Sequence, residues 1–420
     1  MNMRKSIALL MILILVCTLF AGCGQEDPGT SAVPDGTKPE STKEAQNPGG
    51  TESAAPAQPE SVIEILDREG KKLGAIDSRA SATAADKGVF YSIWAPAENA
   101  WTGPAEYRFF RASDGKDIRL GTLEDQGYEA VYTRTELGGK IYTLALVGNP
   151  YDDKTDTLCL LAADPIAETL TKTEISKDGF PYAAMAAVNG KLLIMNHETG
   201  KAKSDKVYAF DPASGTVREI LSFPDDGKSS LRSICAAEDG FYLLRLTLKN
   251  GAADALVLDH YDSACKRVSE QPLQEIFTKA ALSIRGLLSE GDVKNEAGMM
   301  VSAFAVEDGR YLLYENFGIT RMVLDLKTGE ALLAQDDVYV HSLGGGKMLF
   351  YRMDFEKNEA GPEILELKDG SLQSLSFTPP TACTLLQSVS VSLSGTRLLH
   401  LSDSFPVRSG ESVLILWTER

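Results

Sequence analysis

Short apolar segments separated by turn residues recur along most of this chain. The clearest unit covers residues 189–220, where apolar segments at 191–195, 207–210 and 216–220 are separated by a polar stretch and by turns that contain glycine. Apolar runs of four to eight residues bounded by Gly, Pro, Asn and Asp are typical of β-strands. The unit therefore predicts three strands joined by turns.

The turn that opens this unit is found seven times, and each copy is followed by an apolar strand. Its second residue is always a glycine, at spacings of 51, 51, 50, 69, 37 and 49 residues: Gly88, Gly139, Gly190, Gly240, Gly309, Gly346 and Gly395. A period near 50 residues with four short strands per unit indicates the blades of a β-propeller. We predict an all-β fold with seven four-stranded blades over residues 62–420, and the unequal spacings leave six or eight blades open.

The two ends of this region carry complementary half-blades. Residues 62–66 and 71–76 match the outer strands of a blade, whereas residues 397–401 and 412–417 match inner strands. An apolar last strand would be an exposed sheet edge unless another strand paired with it. We therefore predict that N- and C-terminal strands close the ring in one shared blade, which one or both N-terminal strands join.

Two further features modify the strand pattern. Segments rich in small residues precede most of the turns, and we expect them to form the innermost strands, where bulky side chains would collide near the axis. In the 69-residue interval between Gly240 and Gly309, apolar residues recur at three- and four-residue steps over residues 273–289. This spacing predicts an inserted amphipathic helix, whose role is to cap a blade edge or, alternatively, to dock a partner.

The first 61 residues depart from this pattern. Residues 1–22 carry Arg4 and Lys5 before an apolar run at 7–20, as a secretory signal peptide does, and the run is too short to span a bilayer. It ends in the letters LFAGC at residues 19–23, which resemble the lipobox of bacterial lipoproteins. The resemblance implies cleavage before Cys23 and lipidation of its thiol, for example with palmitate, whereas the alternative is an ordinary secreted protein.

The composition of residues 23–61 predicts a flexible tether. They contain mostly Pro, Gly, Ser, Thr, Glu and Ala and almost no large apolar side chain, so they cannot bury enough surface to fold. A flexible chain of this length has a root-mean-square reach of roughly 35 Å. We therefore predict a lipoprotein held on the extracytoplasmic face of the cell membrane, with a signal peptide at 1–22, lipidated Cys23 and its tether at 23–61, and a propeller at 62–420.

Charge and cysteine content limit the partners and the redox chemistry. The formal charge of −17 at pH 7 disfavours binding to nucleic acid or to anionic lipid surfaces. Apart from Cys17 in the signal peptide and Cys23, four cysteines lack metal-ligand spacing: Cys159, Cys235, Cys265 and Cys383. We expect buried thiols, with a disulfide between Cys235 and Cys265 as the alternative outside the membrane.

Motifs for catalysis or metal binding are missing from the sequence. The four histidines are isolated, and there is no HExxH or GxSxG segment. Asp152, Asp153 and Asp156 form an acidic cluster, but the glycine and the final glutamate of an EF-hand are absent. We therefore predict no catalytic residue, no metal and no cofactor.

We predict binding on the face formed by the connections between second and third strands, which are long where the other turns are tight: 95–105, 148–156, 196–205, 354–362 and 403–411. Propeller topology places these connections on one face, and loops on a rigid scaffold commonly carry binding residues. The predicted ligand-binding residues are Trp94, Trp101, Tyr151, Asp152, His197, Phe355, Phe405 and Arg408. The alternative is that these side chains pack loop against loop.

Two hairpins, residues 207–215 and 323–329, resemble the repeats of the PQQ-like and YncE-like propeller families. These families include quinoprotein dehydrogenases and non-enzymatic lipoproteins that scaffold envelope assembly. The Trp that follows the Thr-Gly turn in those repeats is replaced here, with Val217 and Ala331 near its place, and there is no adjacent pair of cysteines. The resemblance therefore implies a propeller without quinone chemistry.

These features predict a membrane-anchored, extracytoplasmic propeller lipoprotein that acts as a non-enzymatic binding or scaffold module for an envelope protein, peptide or glycan. The alternative is a propeller enzyme that acts on an extracellular glycan or peptide. Such an enzyme would need acid–base or metal-binding residues that converge at the mouth of the axial channel.

Overall fold

The computed structural model of the chain describes residues 62–418, except for 95–104, 124–126, 149–155, 181, 199–203, 225, 286–300, 317–320, 336–337, 345–346, 353–361, 376–377, 384, 393 and 404–411. In this part of the chain, twenty-nine strands and one helix build a ring of seven sheets. The predicted signal peptide, Cys23 and the tether lie outside the described residues.

The first strands of the ring form a hairpin and three complete blades. The hairpin consists of β1 (Val62–Leu66) and β2 (Lys72–Asp77). Blade 1 contains β3 (Ser81–Ala85), β4 (Gly88–Trp94), β5 (Ala105–Arg111) and β6 (Lys116–Leu123). Blade 2 contains β7 (Gly127–Leu137), β8 (Lys140–Val147), β9 (Asp156–Asp164) and β10 (Thr169–Gly179). Blade 3 contains β11 (Ala184–Val188), β12 (Lys191–Glu198), β13 (Ser204–Asp211) and β14 (Thr216–Pro224).

The remaining blades follow in chain order. Blade 4 contains β15 (Ser229–Ala236), β16 (Gly240–Lys249), β17 (Ala252–Asp262) and β18 (Arg267–Pro272), after which comes the helix α1 (Gln274–Arg285). Blade 5 contains β19 (Val301–Glu307), β20 (Tyr311–Asn316), β21 (Arg321–Asp325) and β22 (Glu330–Gln335). Blade 6 contains β23 (Val338–Gly344), β24 (Lys347–Arg352), β25 (Pro362–Lys368) and β26 (Ser371–Leu375).

Blade 7 closes the ring with strands from both ends of the described chain, as predicted. It contains β27 (Leu385–Val391), β28 (Thr396–Ser402) and β29 (Ser412–Thr418). β1 pairs with β29 in parallel and β2 follows β1, so the strand order is β2-β1-β29-β28-β27. Both N-terminal strands therefore join this blade, which has five strands where the six other described sheets have four.

Apolar side chains fill every interface between neighbouring blades. Seven clusters of buried side chains are found among the described residues, one at each interface. Within β12, Leu192 and Ile194 face blade 2, whereas Leu193 and Met195 face blade 4. Each blade is therefore covered on both faces, which explains why its central strands are continuous apolar runs instead of alternating ones.

The first strand of each blade lies nearest the axis and packs against the first strands of the neighbouring blades. Small residues allow this close approach, for example in β3, where Ala84 and Ala85 are buried. The tight turns that end these strands also follow the prediction. At Asn189-Gly190 and Asp308-Gly309 both residues have positive φ, as in the type I′ turns that suit two-residue hairpins.

The connections between second and third strands are shorter in two blades than the predicted pattern. In blade 4, β16 and β17 extend to a two-residue turn at Asn250-Gly251, and both of these residues have positive φ. In blade 5 only residues 317–320 separate β20 from β21. The five connections predicted to be long belong to blades 1, 2, 3, 6 and 7, so blades 4 and 5 do not follow the expected alternation of tight turns and long connections.

The inserted helix α1 packs across blades 4 and 5. Its buried Phe277, Ala280 and Ala281 belong to the apolar cluster between these blades. The side chain of Gln274 accepts a hydrogen bond from the Leu256 backbone N–H at 3.2 Å, which fixes the start of the helix on β17. The helical insertion is confirmed, and residues 286–289 of its predicted range lie outside the described residues.

We predict that Leu414→Ala destabilises the propeller by about 3 kcal/mol, the usual cost of truncating a leucine in a packed core. Leu414 is 1% exposed and lies opposite Ile65 in the parallel pair that closes the ring. Urea denaturation of the parent and the variant measures the loss.

Val62→Ala is the matched control, because Val62 lies in β1 of the same blade and is 56% exposed. We expect the free energy of unfolding to change by less than about 0.5 kcal/mol in this variant. Equal losses in the free energy of unfolding for Leu414→Ala and Val62→Ala would contradict the packing of Leu414 at the strand pair that closes the ring.

Candidate functional site

A cavity opens on the face where second strands end and third strands begin, which we call the long-loop face. Its volume is about 70 Å³, and it lies where blades 3, 4 and 5 meet. The side chains that line it include Phe180, Tyr182, His197, Ser230, Arg232 and Val301. A space of this size holds a few water molecules or the head of one small polar group.

His197 lines one wall of the cavity, and the neighbouring Asp205 holds it in place. The two residues lie directly opposite each other in β12 and β13, and the His197 Nδ1 atom is bonded to one oxygen of the buried Asp205 carboxylate. The other oxygen accepts a hydrogen bond from the backbone N–H of Leu231 in β15. Asp205 thereby orients the imidazole and ties the first strand of blade 4 to blade 3.

A buried amide positions the aromatic side of the cavity. Asn196 accepts a hydrogen bond from the Phe180 backbone N–H at 3.1 Å and donates one to the Asp178 carbonyl at 2.7 Å. The Phe180 ring then lies edge-on to His197, with centroids 5.1 Å apart, and next to Tyr182 at 5.4 Å. These contacts position Phe180 and Tyr182 beside the cavity.

Arg232 occupies a β-bulge in the first strand of blade 4. The pairing of β15 with β16 passes from Leu231 directly to Ser233, so Arg232 has no partner residue in β16. A bulge re-aims the side chain of the extra residue, and this one lines the cavity. β19 and β27 also skip a residue near the same end, at Ser302 and Gln387.

The guanidinium of Arg232 lacks the ion pair that a half-buried cation usually has. Its Nε atom is buried without a hydrogen-bond partner, and no carboxylate of the described residues is paired with it. Burial lowers the pKa of Arg232, and the nearby Tyr314 and Asp205 only partly oppose this. The cavity therefore presents a cation whose charge is incompletely compensated by the described chain.

Arg134 shows how an arginine of a first strand is otherwise accommodated. In β7 it donates hydrogen bonds to the Ser81 carbonyl and to the Ser92 hydroxyl, each at 2.8 Å. Its guanidinium also lies 5.3 Å from the centre of the Phe90 ring. Arg134 thus links blade 2 to blade 1, a structural role for which Arg232 has no equivalent among the described contacts.

The structure describes one side chain of the eight predicted ligand-binding residues. His197 lies on the long-loop face and lines the cavity, although it belongs to a strand and not to a loop. Trp94 ends β4. The Trp94 side chain lies outside the described residues, and so do Trp101, Tyr151, Asp152, Phe355, Phe405 and Arg408, which stay predictions.

The residues that sequence reasoning missed are Arg232, Asp205, Phe180 and Tyr182. A signal for Arg232 was available, since it is a charged residue at the start of a small-residue inner strand. The sequence did not indicate Asp205, because its role depends on the register between β12 and β13. The pocket that these residues form requires three blades to meet.

The described residues show no metal-binding cluster. Nowhere in the described ranges do three His, Cys, Asp or Glu side chains converge as metal ligands. Cys235 and Cys265 form no disulfide with each other. No described helix is both long and apolar enough to cross a membrane.

A wider depression lies at the rim of blade 7. It encloses about 590 Å³ and is lined by the turn residues Asp67, Arg68 and Glu69 together with Lys347. Charges of both signs border it and it is open to solvent, so it lacks the enclosed polar groups that orient a ligand. The cavity between blades 3, 4 and 5 is therefore the better candidate site.

Comparison with known proteins finds distant structural neighbours. No family model and no curated protein matches the sequence. Similar solved structures include a putative 6-phosphogluconolactonase from Bacteroides fragilis, at 12% identity over 80% of this chain and 99% of that chain, with a TM-score of 0.46. BamB from Moraxella catarrhalis is 11% identical over 87% of this chain and 93% of that chain, with a TM-score of 0.42.

The WD40 β-propeller domain of Doa1 is similar at the same level, with 11% identity over 86% of this chain and 96% of that chain and a TM-score of 0.43. Likenesses this distant carry no argument about ligand or activity. The strand order and the ring of seven sheets themselves define this protein as a seven-bladed β-propeller.

We predict that Asp205→Ala lowers the free energy of unfolding by about 2 kcal/mol, because it leaves the buried N–H of Leu231 without an acceptor. Chemical denaturation measures the change. The matched control is Asp239→Ala, since Asp239 also contacts a histidine, His260, at 2.9 Å but is 67% exposed.

The control should change stability by less than about 0.5 kcal/mol. A loss of the same size in both variants would mean that Asp205 is a surface partner of His197 and not a tie between blades 3 and 4.

Proposed function

We propose that this protein is a membrane-anchored binding module on the extracytoplasmic face of the cell membrane. A lipid on Cys23 anchors it, the segment at 23–61 spaces the propeller from the membrane, and the long-loop face captures an envelope protein, peptide or glycan. The observation that carries the binding role is the cavity at Arg232, where a half-buried cation without an ion-pair partner in the described chain lies among aromatic side chains.

The energetics of Arg232 support a binding role over a structural one. Removing a charge from water costs free energy unless a partner compensates it. Arg134 recovers part of this cost through its bonds to blade 1. Arg232 makes no ion pair with the described residues, and its Nε atom is buried without a hydrogen-bond partner. A site that stabilises the fold would be expected to pair the charge, and a site that receives an anion would not.

The scaffold suits capture of a partner. Each blade is held between two others by buried apolar clusters, so the ends of the strands are fixed in space. Binding groups carried by rigid strands lose little conformational entropy when a ligand arrives. The predicted aromatic residues of the neighbouring connections would enlarge the contact area around the cavity.

A propeller enzyme is the second candidate, and the His197–Asp205 pair is the observation that favours it. A histidine oriented by a carboxylate is the usual form of a general base. However, Asp205 also serves as a backbone acceptor for Leu231, and the Ser230 hydroxyl in the same cavity donates to the Leu231 carbonyl at 3.4 Å. Both contacts are structural, and they favour binding over nucleophilic catalysis.

The anchor is tested by Cys23→Ala in a bacterial host that processes lipoproteins. We expect loss of radiolabelled palmitate incorporation and a shift of the protein out of the membrane fraction, because the variant has no thiol to acylate. Cys265→Ala is the control and should stay with the membrane. Unchanged fractionation of Cys23→Ala would refute the lipid anchor.

The binding face is tested by comparing capture of envelope components by the parent and by a Trp94→Ala/Trp101→Ala double variant. If the long-loop face binds, we expect the affinity of the captured component to fall about 30-fold, or about 2 kcal/mol, as for an aromatic hot spot. Thermal melting should be unchanged.

Ile166→Ala is the matched control, because Ile166 is 89% exposed in the turn between β9 and β10, at the opposite ends of the strands. Its capture should equal that of the parent. Equal capture by all three proteins would remove Trp94 and Trp101 from the binding surface.

A further inference from the structure

The charged groups at the cavity between blades 3, 4 and 5 limit which ligands could fit it. Arg232 is the cation that lines it, and its position on a β-bulge of β15 directs it away from the strand pairing of blade 4. The Asp205 carboxylate near it is engaged by His197 and by the Leu231 N–H. Arg232 therefore has no directly paired anion among the described residues, and a ligand with one negative charge would supply one.

The number of charges favours a carboxylate over a phosphate. A guanidinium can donate two parallel hydrogen bonds to the two oxygens of a planar carboxylate. A phosphate dianion would bring twice the charge next to Asp205, in a protein whose formal charge is −17. A singly charged carboxylate matches the single available cation without added repulsion.

The apolar wall of the cavity indicates what carries this carboxylate. Met195, Val301 and Phe180 line the cavity beside Arg232, and they offer contacts to an alkyl or aromatic side chain, not to a ring covered with hydroxyl groups. The volume of about 70 Å³ also admits the end of a flexible chain more readily than a sugar ring. A peptide C-terminus combines a free carboxylate with an adjacent side chain.

We propose that this cavity binds the C-terminal carboxylate of a peptide or protein whose last residue is apolar, and that Arg232 is the residue that recognises the carboxylate. Phe180 and Tyr182 border the side chain of the last residue, and His197, held by Asp205, forms part of the rim. This inference deepens the proposed binding role and rests on it.

The test uses the full-length protein in detergent micelles and three N-acetylated tetrapeptides that end in alanine, leucine or phenylalanine. Each peptide is titrated by calorimetry as the free acid and as the C-terminal amide. We expect the leucine or phenylalanine acid to bind at least ten times more tightly than its amide. Arg232→Gln should reduce binding of the acid to the level of the amide, and Arg232→Lys should restore part of it.

Two controls accompany the titrations. Arg119→Gln removes one positive charge from an exposed position in β6 of blade 1, where the side chain is 62% exposed, and it should bind the acid as the parent does. The free energy of unfolding of Arg232→Gln should equal or exceed that of the parent, since Arg232 makes no ion pair with the described residues. If Arg232→Gln is as stable as the parent but no longer binds the peptide acid, the loss is in ligand recognition and not in folding.

Glucuronate and inorganic phosphate are titrated as competing anions. Binding of either one that depends on Arg232, with no binding of the peptide acids, would overturn the peptide assignment. Equal affinity for acid and amide, or undiminished binding by Arg232→Gln, would overturn carboxylate recognition. The proposed binding role is judged separately, since it fails only if capture of envelope components is also insensitive to changes on the long-loop face.

Discussion

The fold depends on the burial of both faces of every blade. In β12 alternate residues enter two different cores, with Leu192 and Ile194 against blade 2 and Leu193 and Met195 against blade 4. The same division recurs in blade 7, where Leu414 packs towards blade 1 and Ile415 towards blade 6. A blade with two apolar faces cannot be stable alone, and a row of such blades would expose a face at each end. Closing the row into a ring removes both exposed faces.

Ring closure creates a second problem at the axis, where each first strand has one unpaired edge. Unpaired backbone N–H groups there need acceptors, and neighbouring blades supply them. Ser390 accepts from the Ala84 N–H at 2.7 Å, and Glu136 accepts from the Asp86 N–H at 3.0 Å. Asp205 does the same for Leu231. The His197–Asp205 pair is therefore part of the linkage between blades 3 and 4. The same linkage fixes the position of the side chains beside the cavity.

Arg232 is the residue for which this structural explanation is insufficient. It lies at the same end of a first strand as the other bulged residues, Ser302 and Gln387, and Gln387 donates to Ser402 at 2.7 Å. Arg232 instead remains half-buried at a cavity that contains aromatic rings. The physical cost of this arrangement within the described chain is the reason for assigning the ligand site to it.

Sequence patterns predicted most of the ring and little of the candidate site between blades 3, 4 and 5. The seven turns, the small inner strands and the helix after blade 4 are local features, since a few neighbouring residues determine each of them. The complementary half-blades predicted that N- and C-terminal strands share a blade, but not the register that places Ile65 opposite Leu414 or the number of N-terminal strands that join, because this pairing links segments about 350 residues apart. The two-residue turn at Asn250-Gly251 has a local sequence signal, an Asn-Gly pair in which both residues have positive φ.

The cavity was harder to predict from the sequence for the same reason. Whether Arg232 is in register with β16 or forms a bulge depends on how β15 pairs, and the sequence of β15 alone does not decide it. The contact of Asp205 with Leu231 joins two blades through a side chain, which no periodicity reveals. His197 was found because an aromatic-rich face was expected there, although the reason for its fixed orientation was not.

The central claim is that this propeller binds its partner on the long-loop face, around the cavity. Hydrogen–deuterium exchange of the full-length protein, with and without the envelope component that it captures, tests this most directly. The account predicts slower exchange on binding in residues 178–182, 196–198 and 229–232, with no change in the turns at 165–168 and 263–266. Protection confined to those turns, or absent from the three cavity segments, would contradict it.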